Sequence, residues 1–191
     1  MNKQLSSDRT TLDINVPAPK FKLHDIFDRV IDLEKYKGKR VLIAFFRHAG
    51  CPFCNTRVHS LYSRHLEFKA KGLEMIFFFE STKELLLSNH FHKGISPVPI
   101  ISDPEKEWYQ QYGVESSALK SAKSHMTSFF ATVFEAKKRK LPVHWMTGNE
   151  SIKTIPAEFL MDEKGIIKKV HYAKGLRDRI AMQEIEDFLV H

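Results

Sequence analysis

The chain is poor in cysteine, with only two in 191 residues, and this scarcity excludes a disulfide-bonded scaffold. It also lacks any apolar run near the roughly 18 residues that a membrane-spanning helix needs. The first residues carry no continuous apolar segment, so we expect no signal peptide. No internal repeat or low-complexity segment interrupts the sequence. We therefore predict a cytoplasmic protein without membrane contacts, whose two cysteines serve redox chemistry or metal binding.

Positive charge is in excess, but it is not concentrated in one place. The formal net charge is +7, and the densest basic cluster, residues 137–140, is typical of a helix end, where cations complement the helix dipole. Because no concentrated basic footprint or nucleic-acid-binding motif is present, we expect no nucleic-acid partner. Hydrophobic residues make up 42% of the chain and Phe occurs 15 times, which predicts a sizeable aromatic-rich core.

Strands and helices alternate in the predicted order of elements. Val41–Arg47 is a short, almost continuous apolar run, which is typical of a central strand buried on both faces. Helices are predicted from Pro52 to Ala70, from Thr82 to Lys93, after Asp103, and near the C-terminus, with Pro52 in a first turn and Thr82 as a cap. This alternation predicts a parallel sheet with helices on both faces, to which a closing hairpin around Asp162–Gly165 adds an antiparallel edge.

The predicted domain organisation is simple. Residues 1–15 are polar and end before a Pro-Ala-Pro segment, so we expect a flexible lead-in. Residues 16–191 form a single α/β domain. Residues 116–148 are expected to be a helical insertion before the last hairpin.

Both cysteines lie in one motif, Cys51–Cys54, where the apolar strand gives way to a helix. Unpaired N–H groups and the helix dipole favour thiolate over thiol there, so we expect a lowered pKa for Cys51. Arg47 and His48 add positive potential beside it. Cys54, one helical turn along, can attack a disulfide or a sulfenic acid formed on Cys51. The spacing predicts an exposed nucleophile, Cys51, and a partly covered resolving thiol, Cys54.

Two other interpretations of this motif remain open. Cysteine is often a small buried hydrophobic residue without chemistry. A zinc site is the other alternative, with His48, Cys51, Cys54 and His59 as ligands. A helix would separate the two histidines, and the sequence holds no second Cys-x-x-Cys. We therefore expect neither a metal nor a cofactor.

A second candidate feature lies far downstream, where Thr154-Ile155-Pro156 directly precedes a predicted strand. A proline that opens a strand is unusual unless it serves a turn or an edge. In the cis form beside a Cys-x-x-Cys helix, it would expose backbone for an extended substrate; a plain loop proline is the alternative. Candidate substrate-binding or tuning residues are therefore Arg47, His48, Pro52, Ile155 and Pro156.

The segments VLIAFFRHAGCPFC and TIPAEFLMDEKGII resemble the active-site strand and the cis-proline hairpin of the thioredoxin superfamily. More narrowly, PAPKFKLHDIF and ISDPEKEWYQQYGVESS are similar to segments of its peroxiredoxin-like branch, the alkyl hydroperoxide reductase/thiol-specific antioxidant (AhpC/TSA) type. The resemblance spans about residues 16–189. It implies a thioredoxin-like α/β fold with a central mixed sheet flanked by helices.

The resemblance also implies an oxidoreductase, either a thiol peroxidase with an antioxidant role or a thiol-disulfide oxidoreductase. Its partners would be a peroxide or disulfide substrate and a thioredoxin- or glutathione-type thiol reductant, and a homodimer is compatible with it. The alternative is a non-catalytic thioredoxin-fold module that binds a partner through its basic surface and the 116–148 insertion.

The sequence departs from the peroxiredoxin pattern at three positions. Ala44 and His48 stand where typical members carry Pro and Thr or Ser, and Pro156 stands where they carry Arg. In the family, the Thr and the Arg activate the thiolate and bind the peroxide oxygens. A proline at position 156 is instead typical of thioredoxins.

Overall fold

The computed structural model describes residues 11–114, 132–142 and 153–190. Five strands form the main sheet in the order β5-β4-β3-β6-β7. The strand β3 pairs in parallel with β4 and antiparallel with β6. The predicted mixed sheet with an antiparallel hairpin at one edge is thereby confirmed. The strands are β3 (Arg40–Phe45), β4 (Leu73–Phe79), β5 (Ile100–Ser102), β6 (Ala157–Met161) and β7 (Ile167–Tyr172).

The central position of β3 follows from its composition. Successive side chains of a strand point to opposite faces of the sheet, and here both sets are apolar. Val41, Ile43 and Phe45 enter one buried cluster. Leu42 and Ala44 enter the other. A strand covered on both faces reads as a continuous apolar run, as the sequence predicts.

Helices cover both faces of the sheet. The face that holds Leu42 is packed by α1 (Pro52–Tyr62), α2 (His65–Ala70), α3 (Lys83–Leu87), α4 (His90–Gly94) and the C-terminal helix Met182–Val190. The opposite face is covered by α5 (Glu107–Gln111) and by an N-terminal hairpin of β1 (Lys22–His24) and β2 (Val30–Asp32), followed by a 3-10 turn at Leu33–Tyr36.

Two helices predicted as continuous are each divided in two. The first is interrupted at Ser63 and Arg64, where Arg64 has φ −112° and ψ 8° and the Ser63 hydroxyl donates to Ser60 O at 3.0 Å. Serine competes in this way for backbone groups that would otherwise extend a helix. The second divides at Asn89, whose side chain accepts from Phe91 N. The predicted cap Thr82 does accept from Leu85 N.

Residues 11–15 run beside the sheet edge. Leu12 N donates to the Tyr172 hydroxyl at 2.8 Å, and Asn15 N donates to Ile167 O at 2.7 Å. Residues 1–10 of the predicted lead-in lie outside the described residues. Within the predicted 116–148 insertion, residues 132–138 are helical and are called α6. The C-terminal helix Met182–Val190 is α7. The rest of the insertion prediction is not tested.

Candidate active site

The two cysteines sit at the carboxyl end of β3, where the chain turns into α1. Cys51 N donates to His48 O at 3.0 Å and closes the turn. Cys51 is the N-cap residue of α1, and Pro52 occupies the first helical position, where the absence of an N–H costs nothing. Buried Asn55 fixes the turn from inside, since its Nδ2 donates to Ala49 O at 2.7 Å. The predicted strand-turn-helix context of the motif is confirmed.

Both thiols are free and fully buried, and they contact each other. Burial alone raises the pKa of Cys51, but a hydrogen bond from the Cys54 thiol and the Arg47 guanidinium outweigh it, and the pKa falls from 9.0 to about 6. Arg179 lowers it further. The backbone N–H of Cys54 also lowers the pKa of Cys51. The geometry of this contact falls short of a normal hydrogen bond, so the Cys51 side chain does not cap α1.

The second thiol responds in the opposite sense. Burial, donation of its hydrogen to Cys51 and the negative charge of that neighbour raise the pKa of Cys54 well above 9.0. Arg47 N donates to the Cys54 sulfur at 3.3 Å. One sulfur is therefore favoured as the anion, and the other is kept as the proton donor beside it.

The predicted difference in exposure is wrong. Neither Cys51 nor Cys54 has exposed surface. The physical reason is packing: both belong to the apolar cluster that includes Phe46, Phe53 and Ile155. A reagent that reaches Cys51 needs a local opening of this packing. The asymmetry between the two thiols is in charge, not in solvent contact.

The candidates that precede the motif come close to it in different ways. Arg47 is fully buried, and its Nη1 lies 3.7 Å from the Cys51 sulfur. His48 is 6% exposed and meets Cys51 through its backbone carbonyl. Of these two candidates, Arg47 is the one whose charge lowers the pKa of Cys51 in the structure.

The downstream candidates are only partly brought to the motif. Ile155 lies in the same apolar cluster as both cysteines. The predicted cis form of Pro156 is wrong, because none of the peptide bonds among the described residues is cis. Ile155 is 2% exposed and Pro156 is buried, while Pro156 O accepts from Ala173 N at 3.0 Å. A covered trans proline does not offer its backbone to an extended substrate.

Three charged residues near the motif were not predicted from the sequence. Glu158, on β6, is fully buried and accepts from Arg57 Nε at 2.8 Å and Nη2 at 2.7 Å. It also accepts from Ile180 N at 3.0 Å. Arg179 Nε lies 3.7 Å from a Glu158 oxygen. This network connects α1 to β6 and holds Arg179 where its charge lowers the pKa of Cys51.

Local sequence carries little signal for this network. Arg57 and Arg179 are 122 positions apart in the numbering, and only the sheet brings their segments together. Alternation along β6 gave one available hint: Glu158 interrupts an otherwise apolar strand, and a carboxylate inside a buried strand requires a cationic partner.

The zinc alternative is not supported by the geometry. No group of three or more His, Cys, Asp or Glu side chains converges within residues 11–114, 132–142 and 153–190. His48 and His59 therefore do not join the two thiols as a ligand set. In the same part of the chain, no helix is both long and apolar enough to span a membrane.

Proteins with similar sequences include peroxiredoxins. The chain is 29% identical over 97 residues to the peroxiredoxin Bcp of Escherichia coli, covering 51% of this chain and 62% of that one. It is 31% identical over 111 residues to the peroxiredoxin TSA2 of Saccharomyces cerevisiae, covering 53% and 57%. The chain thus spans less than two thirds of the length of these relatives.

Solved structures share the fold. A thiol peroxidase from Chromobacterium violaceum aligns with a TM-score of 0.63 and 16% identity, over 95% of this chain and 88% of that one. The peroxidoxin BcpB from Mycobacterium tuberculosis aligns with a TM-score of 0.61 and 13% identity, over 93% of each chain. The predicted thioredoxin-like fold is confirmed. The AhpC/TSA family profile matches residues 14–170, and the chain belongs to the AhpC/TSA family.

Proposed function

We propose that the chain is a thiol-dependent peroxidase in which Cys51 is the nucleophile and Cys54 the resolving thiol. The observation that carries the proposal is the pair of contacting free thiols whose pKa values shift in opposite directions. At neutral pH, a Cys51 pKa of about 6 favours the thiolate, which is the reactive form of cysteine.

The reaction has two steps on the protein. The Cys51 thiolate attacks one peroxide oxygen, the O–O bond breaks, and the leaving oxygen takes a proton to become water or an alcohol. Cys51 is then a sulfenic acid. The Cys54 sulfur attacks Cys51, a disulfide forms, and the sulfenic oxygen leaves as water with the Cys54 proton. An external thiol reductant restores both thiols by disulfide exchange.

Peroxide is favoured over a protein disulfide as the oxidant for a geometric reason. Cys51 is fully buried, so a small oxidant needs a smaller opening than a polypeptide does. The trans, buried Pro156 also supplies no exposed backbone for an extended substrate. Arg47 and Arg179, both of which act on Cys51, provide positive charge where negative charge develops on the leaving oxygen.

The test compares the two oxidants directly. Reduced protein is mixed with hydrogen peroxide or with a small disulfide by stopped flow, and the products are identified by mass. Cys54→Ser should stop at the Cys51 sulfenic acid, whereas the unaltered protein should lose two hydrogens as it forms the disulfide. Cys51→Ser should not turn over. Normal peroxide turnover by Cys51→Ser would rule out the proposed nucleophile.

Thiol titration and the rate of oxidation distinguish the proposed peroxidase from a non-catalytic binding module. A module that uses only its surface has no need of an ionised thiol, and its buried cysteines should titrate at or above the ordinary value of about 8.5. Oxidation that is no faster than that of a free thiol, together with such a titration, would favour the module.

A further inference from the structure

A cavity of about 320 Å³ lies beside the outer face of α1. One wall is formed by α1, including Phe53 and Arg57, and another by α6. The segment between β7 and α7 closes it with Leu176, Arg177 and Arg179. The cavity therefore combines two apolar side chains with three guanidinium groups. Its volume is at the lower end of the range for small-molecule sites.

Positive charge in this cavity is not fully balanced by protein carboxylates. Arg57 is neutralised by its two hydrogen bonds to Glu158. The acidic residue that lines the cavity, Glu135, accepts from Arg139 Nε at 2.7 Å. Arg177 donates to the neutral hydroxyl of Thr132, and no carboxylate among the described residues pairs with it. The cavity thus has a net attraction for an anion.

Arg179 gives an independent indication of a missing acceptor. Its side chain is only 7% exposed, and its Nη1 donates to Asp178 O at 2.7 Å. Its Nε and Nη2 are buried and have no hydrogen-bond acceptor within the described residues; the Glu158 oxygen at 3.7 Å from Nε is too far. Buried guanidinium donors rarely remain unsatisfied, because their desolvation is not compensated.

The cavity adjoins the reactive motif. Phe53 stands between the two cysteines in the sequence and lines the cavity. Arg179 also lines it, and its charge acts on Cys51. A molecule held there would have its charged end on the arginines and its remainder near the cysteine turn.

We propose that this cavity binds the carboxylate of a small acidic redox partner of Cys51, with the apolar part of that molecule against Phe53 and Leu176. A guanidinium group matches a carboxylate through paired hydrogen bonds. The proposal rests on the redox role proposed for Cys51. Two sources share this chemistry: an oxidant that is a carboxylate-bearing hydroperoxide, and a reductant that is a carboxylate-bearing thiol.

The kinetic test uses matched pairs that differ only in charge. In the oxidation arm, the reduced protein reacts with cumene hydroperoxide carrying a para-carboxylate or with its methyl ester. In the reduction arm, the oxidised protein reacts with 3-mercaptopropionate or its methyl ester. We expect the acid to react at least about tenfold faster than the ester in one arm, the factor that about 1.4 kcal/mol of extra binding provides. That arm identifies the source.

Two variants with the same change of charge make the effect specific. Arg177→Gln removes a cavity cation and should bring the acid-to-ester ratio close to one. Lys174→Gln removes an exposed cation three positions away that does not line the cavity, and it should leave the ratio unchanged. Equal loss in both variants would show a general surface field and would overturn the proposal.

A binding arm separates this proposal from the redox function. The Cys51→Ser protein, which cannot react, is titrated by NMR with the hydroxy acid that corresponds to the reduced hydroperoxide and, separately, with 3-mercaptopropionate. Binding that Arg177→Gln removes and Lys174→Gln retains supports the cavity even if no oxidant reacts with the unaltered protein. Absence of binding overturns it. Binding without a preference for the acid in either kinetic arm would overturn the assignment to a redox partner.

Discussion

Replacing Cys54 by Ala should raise the pKa of Cys51, because the second thiol donates a hydrogen bond to the first. In the intact site, burial opposes ionisation of Cys51, and the Cys54 thiol and Arg47 overcome that opposition. Cys54→Ala removes the donor without adding volume or charge. The variant therefore tests whether the resolving thiol also keeps the nucleophile ionised.

The magnitude follows from the pKa shift. A fall from 9.0 to about 6 corresponds to about 4 kcal/mol of preference for the thiolate, at about 1.4 kcal/mol per unit. At pH 7 the thiolate fraction would then be about 90%, against about 1% for an unshifted thiol. A hydrogen bond to a charged group contributes about 1.5–3 kcal/mol, and a thiol is a weak donor. We expect the Cys54→Ala midpoint to rise by about one unit.

The assay is the ultraviolet absorbance of the thiolate, titrated from about pH 4 to about pH 11. Absorbance is preferable to alkylation because it does not require a reagent to reach the buried Cys51 sulfur. Cys51→Ser is the control and should lose the transition near pH 6. A midpoint near 9 in the intact protein, or an unchanged midpoint in Cys54→Ala, would refute the electrostatic account of the site.

Three further results are expected. Between about pH 6 and about pH 9 the native reduced state binds fewer protons than the unfolded state, so its unfolding free energy should rise with pH by up to about 4 kcal/mol. Cys51→Ser should remove that rise in urea titrations. An unchanged dependence of unfolding free energy on pH in this variant would contradict the prediction. Glu158→Gln should cost about 3–5 kcal/mol of stability because it leaves Arg57 buried without a counter-charge, whereas Glu74→Gln, which breaks the exposed pair with Lys39, should cost less than about 1 kcal/mol. Acid pH below about 6 should slow peroxide oxidation in proportion to the loss of the Cys51 thiolate, and a rate that does not change with pH there would count against thiolate attack.

The sheet was predictable because its signals are local. The apolar run Val41–Phe45 identifies a strand covered on both faces, and the turn around Asp162 identifies the hairpin that follows. The helix breaks at Ser63 and Asn89 were missed, because apolar periodicity continues across both and only side-chain hydrogen bonds interrupt the backbone ladder. Periodicity therefore predicts the face that a segment buries better than its continuity.

The candidate site was predictable only where it is continuous in sequence. The motif, the helix start and Arg47 lie within eight positions, and the structure keeps them together. Burial of the thiols was mispredicted because it depends on Ile155 and other distant members of the apolar cluster. The cis form of Pro156 was predicted from its position before a strand, although most X-Pro bonds are trans, and position alone does not decide the isomer.

The departures from the family pattern at Ala44, His48 and Pro156 suggest, taken alone, that thiolate activation is lost. The structure argues otherwise, because the pKa of Cys51 falls to about 6 despite burial, through a hydrogen bond from Cys54 and through charges that reach the same sulfur from other positions. Arg47 approaches Cys51 from the strand end, and Arg179 acts on it from the segment before α7. Glu158 pairs closely with Arg57 and at a longer distance with Arg179, so this one carboxylate does not balance both positive charges. Relatives should therefore be compared by the charges and hydrogen bonds around the reacting sulfur as well as by residue identity at fixed positions.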